Sequence, residues 1–187
     1  MVQVLNLAPL LLTLAVRQAA EAAMRRDQPS RKPRQGQASI VFWYIAYLSI
    51  LALALERAWS TPFAAPPFWG YAVIWSGMAL RLASLRAIGA YYDYLILIRD
   101  DHRLIGSGPY RCLRHPMHLG LHLEMAGLAL LADAALGWIA MALSLVALLQ
   151  RNVQEERALE QFFGAAYRSY RRGTWDVIDL LPRSLKP

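Results

Sequence analysis

Residues 108–120 read GPYRCLRHPMHLG and lie between a polar, basic segment and a long apolar one. Gly108 and Pro109 predict a turn, because glycine tolerates positive φ and proline pre-sets the φ of its own position. Pro116 suits the first position of a helix, where its missing N–H has no intrahelical partner to lose. We therefore predict a helix that begins at Pro116, with His115 near its N-cap. The backbone N–H groups of its first turn would suit a carboxylate or a phosphate.

Four polar side chains crowd the same turn, at Tyr110, Arg111, Arg114 and His115. Arginines and helix N-termini both favour anionic groups, and aromatic rings favour cations. Together they predict a cofactor cradle at a membrane surface, with the other helices packed around it.

The composition predicts an all-α integral membrane protein. Hydrophobic residues make up 57% of the 187 residues, and they are clustered in runs. The mean hydropathy is +0.27, which is high for a soluble domain of this size. The pI of about 9.9 could indicate nucleic-acid binding, but no nucleic-acid motif accompanies the basic blocks, so we expect none. The single cysteine excludes an internal disulfide.

The apolar runs predict about five transmembrane helices. They lie at residues 5–16, 38–55, 68–86, 116–131 and 136–150. The last two are joined by four residues, which predicts an antiparallel helical hairpin. Beyond the hairpin, apolar residues recur at helical spacing over residues 159–170, and these predict an amphipathic tail helix on the cytoplasmic membrane surface.

The basic residues predict the orientation of the chain. In a five-span arrangement, all of the 20 Lys and Arg residues except Arg17 and Arg57 lie on one side. Because basic residues concentrate on the cytoplasmic side, the N-terminus is predicted outside, and the C-terminus and the site in the cytoplasm. A bacterial inner membrane is the expected location. We divide the chain into a three-helix membrane region, residues 1–86, and a catalytic region, residues 87–187, within one structural unit.

A second polar cluster, RNVQEE at residues 151–156, follows the last apolar run. One helical turn separates Arg151 from Glu155, so both side chains project from one face. The hairpin returns this end of the helix to the membrane face where His115 lies. Adjacent carboxylates at a membrane edge usually have a partner or a ligand. The alternative is an intrahelical Arg151–Glu155 ion pair and a solvated Glu156.

These two clusters, with their order and spacing, resemble the isoprenylcysteine carboxyl methyltransferase family and its phospholipid methyltransferase relatives. The resemblance covers about half of the chain, from Leu85 onward. The matching residues are His102-Arg103-Leu104-Ile105, Gly108-Pro109-Tyr110-Arg111, Arg114-His115-Pro116-Met117, Gly120, Arg151, Glu155-Glu156, Phe163-Gly164, Tyr167, Tyr170 and Leu181-Pro182. The resemblance implies a membrane-embedded enzyme that uses S-adenosylmethionine.

The resemblance also implies roles for individual residues. Arg151 matches the arginine placed at the substrate, and Glu155 matches the cofactor-binding glutamate. This sequence departs from the family at His118, where the family usually has tyrosine. The stretches that match cofactor-contacting residues are His102, Arg103, Leu104 and Ile105, then Tyr110, then His115, Pro116, Met117 and His118.

The chemistry of these residue types agrees with S-adenosylmethionine. Glu155 suits its ammonium group, and an aromatic ring such as Tyr110 can face a cation. Transfer of a methyl group to a carboxylate needs an in-line approach and a dry site, with no general base. An amine or a phenol would need a base, for which Glu156 or His118 could serve. We therefore assign Arg151 and Glu156 to catalysis.

Histidines and one carboxylate continue into the predicted membrane helix. His115, His118 and His122 share one helix face, a spacing that can bind zinc or iron, but we expect no metal here because no carboxylate is assured. His122 is assigned to the substrate pocket. Intramembrane ionisable groups are usually functional or paired, so Glu124 is expected to add polarity to that pocket or to pair with Arg81 or Arg17.

The resemblance therefore implies an enzyme that transfers a methyl group to a lipophilic small molecule or lipid, most often on oxygen, as carboxylate or hydroxyl, and the residue chemistry agrees with it. The acceptor would arrive laterally among membrane lipids and the cofactor from the cytoplasm. Three alternatives stay open: a phospholipid or amine N-methyltransferase, an NADPH-dependent sterol-reductase-like enzyme, and a non-enzymatic membrane scaffold. The identity of the acceptor and the oligomeric state are not determined by the sequence.

Overall fold

The computed structural model describes residues 2–25, 37–60, 68–91 and 103–180. Within these ranges the chain is helical, and its long helices are α1 (Val2–Arg25), α2 (Gln37–Ser60), α3 (Phe68–Ile88), α4 (Pro116–Ala132), α5 (Ala135–Phe163) and α6 (Ala165–Gly173). Short 3₁₀ turns cover Gly89–Tyr91, Gly108–Arg111 and Val177–Leu180. The all-α fold is confirmed.

The predicted hairpin is formed by α4 and α5, which are joined through Asp133 and Ala134. Asp133 lies in the left-handed region at φ 47 and caps α4 through its backbone N–H. α5 has 29 residues, so it continues well beyond the apolar run at residues 136–150. At 1.5 Å per residue α5 is about 43 Å long, more than a hydrocarbon core requires. Its last turns therefore carry Arg151, Glu155 and Glu156 in helical register.

The tail is not one continuous helix. Gly164 separates α5 from α6 and adopts φ 55 and ψ −121, a backbone conformation that residues other than glycine rarely adopt. The amphipathic segment predicted over residues 159–170 is therefore split between two helices. Arg171 of α6 lies 3.4 Å from Glu160 and 3.7 Å from Glu156 of α5. The location of α6 on a membrane stays a prediction.

Glycines bring the backbones of α3 and α4 into contact. A Cβ on Gly77 would lie 2.5 Å from the carbonyl oxygen of Gly120, and one on Gly127 would lie 2.5 Å from that of Gly70. Small residues at such positions are typical of helix pairs in membranes, where close packing replaces the hydrophobic drive. This close contact fixes α4, and with it the first residues of the predicted site, against α3.

Polar groups lie inside the bundle. Glu124 is buried and accepts from Arg17 at 2.6 Å and from Arg81 at 3.0 and 3.2 Å. The sequence predicted one of these two pairings, and the structure contains both. Two cations on one buried carboxylate satisfy a group that would otherwise be costly away from water.

Large apolar side chains lie on the outside. The exposed ones on α2 and α5 include Val41, Ile45, Leu48, Leu136, Ile139, Leu143 and Val146. Such contiguous apolar surface marks a protein or membrane contact. Among the described helices, α2 and α5 are long and apolar enough to cross a membrane, judged by length and composition alone. The five-span arrangement and the division at residue 86 stay predictions.

Candidate functional site

The predicted turn and helix start are confirmed. Gly108 has φ 58, and the 3₁₀ turn Gly108–Arg111 leads to a helix that begins at Pro116 with His115 as its N-cap. Residues 103–107 precede the turn as irregular chain. His115 makes no side-chain capping bond, so its ring is directed elsewhere.

The hairpin brings Glu155 of α5 to the start of α4. Its carboxylate lies 3.9 Å from His115 Nδ1 and 4.0 Å from His118 Nε2. The two rings stack, with centroids 5.6 Å apart and planes 12° apart. The juxtaposition of Glu155 and His115 that the sequence predicted is therefore present. A carboxylate facing two imidazoles is a donor set that suits a cation.

Glu156 lies deeper than Glu155, and cations surround it. Its side chain is 1% exposed, and Oε1 lies 2.6 Å from Arg114 Nε and 3.7 Å from His115 Nε2. Arg171 approaches its other oxygen at 3.7 Å. The alternative of a solvated Glu156 is therefore wrong, because this carboxylate is held in a buried ion cluster. Its assignment as a catalytic base stays a prediction.

Arg114 joins the site to the C-terminal segment. Besides Glu156, it donates to Asp179 Oδ1 at 2.7 Å and to the carbonyl oxygens of Thr174 and Arg171. Burial lowers the pKa of Arg114, but the hydrogen bond that Arg114 donates to Asp179 and the charge of Glu156 outweigh this effect, so the net pKa is raised. Arg114 is therefore a fixed cation that clamps the tail over the turn.

Hydrogen bonds to the backbone also hold the C-terminal segment against the turn. Arg114 N donates to Trp175 O, and Trp175 N donates to Cys112 O, at 3.0 and 2.8 Å. The hydroxyl of Tyr170 donates to the carbonyl oxygen of Tyr110 at 2.8 Å. Burial raises the pKa of Tyr170 to about 12, so its hydroxyl stays a donor at neutral pH.

His115 is buried among acidic groups. Burial lowers the pKa of its imidazole, but the contact with Glu156 and the charges of Glu155 and Asp176 outweigh this, and the net pKa is raised above 6.5. A protonated His115 would therefore partly neutralise the charges of Glu155 and Glu156. The net negative charge of the cradle would then be smaller than that of two carboxylates.

Asn152 and Asp176 support His118 from behind. Asn152 is 1% exposed, its Oδ1 lies 2.7 Å from His118 Nδ1, and its Nδ2 donates to both oxygens of Asp176 at 3.0 and 3.3 Å. Asp176 Oδ1 also accepts the backbone N–H of Ile178 at 2.9 Å. Sequence reasoning missed Asn152 and Asp176. The signal available in the sequence for Asp176 was the pair of acidic residues, Asp176 and Asp179, on either side of two apolar ones.

Trp43 of α2 forms a wall of the same region. Its ring lies edge-on to His118, with centroids 5.1 Å apart, and the guanidinium of Arg151 lies 5.4 Å over it. Arg151 is 4% exposed. The sequence did not predict Trp43 as part of the site, because nothing in the sequence of α2 links it to α4.

The other predicted site residues are distributed around the turn. Tyr110, Pro116 and Met117 are buried, whereas Arg103 is exposed, and Leu104 and Ile105 are partly buried. His102 lies outside the described residues. Which of these side chains contact a cofactor stays a prediction.

His122 lies one turn farther along α4 and has partners on both ring nitrogens. Nδ1 lies 3.0 Å from the carbonyl oxygen of His118, and Nε2 lies 3.3 Å from Ser144 Oγ. This is the arrangement of a core histidine with satisfied hydrogen bonds. Its assignment to a substrate pocket stays a prediction.

The described residues contain one group with the geometry of metal ligands. The donor atoms of His115, His118 and Glu155 lie within 4.8 Å of one another. His122, which the sequence offered as the third ligand, is not among them.

The sequence and structure of the chain match known proteins. Residues 70–161 match the sequence model of the isoprenylcysteine carboxyl methyltransferase family. The protein-S-isoprenylcysteine O-methyltransferase of Dictyostelium discoideum is 28% identical over 109 residues, which is 54% of this chain and 44% of that protein. The uncharacterized protein YpbQ of Bacillus subtilis (strain 168) is 26% identical over 166 residues, 82% of this chain and 96% of YpbQ.

The fold also matches a solved structure. The eukaryotic intramembrane Ras methyltransferase, an isoprenylcysteine carboxyl methyltransferase, superimposes with a TM-score of 0.68 and 18% identity, over 97% of this chain and 68% of that one. The likeness shows an all-helical fold shared with an intramembrane protein. Over residues 70–161 the chain is similar to the isoprenylcysteine carboxyl methyltransferase family. It spans about half the length of the Dictyostelium enzyme.

Proposed function

We propose that the protein is a membrane enzyme that transfers a methyl group from S-adenosylmethionine to a lipophilic acceptor, most often on oxygen. The observation that carries the proposal is the position of Glu155 beside His115 and His118, where α5 returns to the start of α4. Similarity to a family named for methyl transfer supports the reaction class.

The residues present fit S-adenosylmethionine. Glu155 would hold its ammonium group, and the stacked rings of His115 and His118 would line the cationic part of the molecule. The turn before Pro116 would receive its carboxylate at the helix N-terminus. When bound, the cofactor supplies an electrophilic methyl group. Buried Arg151 and Trp43 would orient the acceptor, and the apolar walls would exclude water.

Ligand-dependent stabilisation tests this function against the NADPH alternative. The purified full-length chain in detergent is expected to unfold at a higher temperature with S-adenosylhomocysteine and at an unchanged temperature with NADPH. A ligand at one hundred times its Kd adds about 2.7 kcal/mol to the free energy of unfolding. Stabilisation by NADPH and not by S-adenosylhomocysteine would contradict the proposal, and stabilisation by neither would favour the scaffold alternative.

The proposal also includes the orientation, with the N-terminus outside and the site facing the cytoplasm. The distribution of basic residues supports it. Cys112 is the only cysteine of the sequence, and it is exposed beside the turn. A membrane-impermeant maleimide is therefore expected to label inverted inner-membrane vesicles and to spare intact spheroplasts. Labelling of the spheroplasts would reverse the topology.

A further inference from the structure

The amide of Asn152 has only one orientation that satisfies its neighbours. Asp176 faces it with two carboxylate oxygens at 3.0 and 3.3 Å, and an ionised carboxylate can only accept hydrogen bonds. The NH₂ group must therefore face Asp176. The carbonyl oxygen is left facing His118 Nδ1 at 2.7 Å, and it can only accept. His118 must then carry its proton on Nδ1.

The tautomer of His118 follows from this chain of bonds. A neutral imidazole with its proton on Nδ1 has its lone pair on Nε2. Nε2 lies 4.0 Å from Glu155, at the cradle proposed for the methyl donor, and the side chain is 16% exposed. The charged or titratable groups that face His118 are Glu155, His115 and Arg151. An imidazole lone pair is thus held at the position where methyl transfer is proposed.

We propose that His118 is the general base for an acceptor that carries an acidic hydroxyl, a phenol or an enol on a lipophilic molecule, and that Asn152 and Asp176 position it. This rests on the proposed function. The O–H bond of the acceptor breaks and its proton goes to Nε2. The acceptor oxygen forms a bond to the methyl carbon, and the electron pair of the C–S bond goes to sulfur, which becomes a neutral thioether. The positive charge passes from the sulfonium to the imidazolium.

Two observations favour this acceptor over the other classes. A carboxylate has already lost its proton at neutral pH, so its methylation would not require the base that His118 provides. An amine becomes cationic as it is methylated, and Arg151 lies on the same Trp43 wall as His118. A fixed guanidinium there disfavours an ammonium and stabilises the negative charge that develops on a hydroxyl oxygen. At His118 the carboxylate of Glu155, 4.0 Å from Nε2, offsets the charges of Arg151 and His115 when the imidazolium forms.

The test uses the purified full-length chain with labelled S-adenosylmethionine and three amphiphiles that have the same tail, 4-dodecylphenol, dodecanoate and dodecylamine. The phenol is expected to be methylated at least about tenfold faster than the others. The matched variant is His118→Tyr, since tyrosine is usual at this position in the family. It is expected to lose about 10²-fold or more of phenol methylation at pH 7, the contribution of a general base.

The pH profile separates a base from a merely structural residue. The deficit of His118→Tyr should shrink as the pH rises toward about 10, where a phenol ionises by itself. The methylation of a dodecyl nitrophenol, which is already ionised at pH 8, should be slowed little by His118→Tyr. Asn152→Leu should reproduce the same pattern in part, because the ring loses the acceptor that fixes its tautomer. Stabilisation by S-adenosylhomocysteine shows that each variant is folded.

Nitrogen chemical shifts give a readout that needs no acceptor. The sequence has four histidines, so the resonances of His118 can be assigned by subtraction with His118→Tyr. We expect a protonated Nδ1 and an unprotonated Nε2, and a mixture of tautomers in Asn152→Leu. A proton on Nε2 in the wild type overturns the base assignment. A chain that binds S-adenosylhomocysteine but methylates dodecanoate first, or none of the three probes, overturns the acceptor class. A chain that does not bind S-adenosylhomocysteine contradicts the proposed function instead.

Discussion

Replacing Glu156 with alanine is expected to lower the free energy of unfolding by about 3–5 kcal/mol, the usual cost of removing one partner from a buried ion pair. The carboxylate is 1% exposed and lies 2.6 Å from Arg114, with Arg171 at 3.7 Å. Without it, the buried guanidinium of Arg114 would keep Asp179 as its ionic partner, but the charge of Arg171 would lose one of its two carboxylates. Unfolding in detergent by titration with sodium dodecyl sulfate measures the difference.

Glu160 provides the matched control on the same helix. It also pairs with Arg171 and with Arg168, but its side chain is 30% exposed, so Glu160→Ala should cost under about 1 kcal/mol. Glu156→Gln keeps the volume and removes the charge, and it should lie close to the alanine variant. If both Glu156 variants unfold like Glu160→Ala, the cluster does not stabilise the fold as the geometry indicates.

Replacing Glu155 with alanine is expected to weaken the binding of S-adenosylhomocysteine by at least about 30-fold, since loss of a charged partner in a desolvated site costs about 2 kcal/mol or more. Glu155 is the carboxylate that faces both stacked imidazoles, and its removal leaves the ammonium group without an anionic partner there. Stability should change little, because the side chain is 30% exposed. Titration calorimetry on the detergent-solubilised protein measures the Kd.

Gln154 is the control for this substitution. It is the exposed neighbour of Glu155 on α5, so Gln154→Ala should leave both the Kd and the stability unchanged. Glu155→Gln separates charge from shape and should lose most of the affinity. A Glu155→Ala variant that binds S-adenosylhomocysteine like the wild type would remove the cofactor role assigned to this residue.

Local chemistry made the centre of the site predictable. Pro116 indicated the helix start, because proline is favoured in the first turn of a helix and disfavoured in its interior. The short link after residue 131 required an antiparallel return, and helical periodicity then brought Glu155 to the height of His115. Glu124 was predictable for a similar reason, since a carboxylate in an apolar helix needs a cation from a neighbour, although the sequence could not say that both arginines would supply one.

Long-range contacts made the rest unpredictable. Arg114 was placed in the cradle as a group for anions, but it is occupied by Glu156 and Asp179, which are 42 and 65 residues away in sequence. The support of His118 by Asn152 and Asp176 joins three elements whose order in space no periodicity reveals. The break at Gly164 was missed because apolar spacing continues across it, while only the backbone changes direction.

Residues 175–179 cross the turn, and this has a consequence for the order in which the site is assembled. The α4–α5 hairpin contains none of residues 175–179, so its two helices can pack together before that segment docks. Until residues 175–179 follow, Asn152 has no carboxylate to orient its amide, and Arg114 lacks the carbonyl oxygens that hold it. The arrangement around His118 is therefore completed only when residues 175–179 dock against the helices.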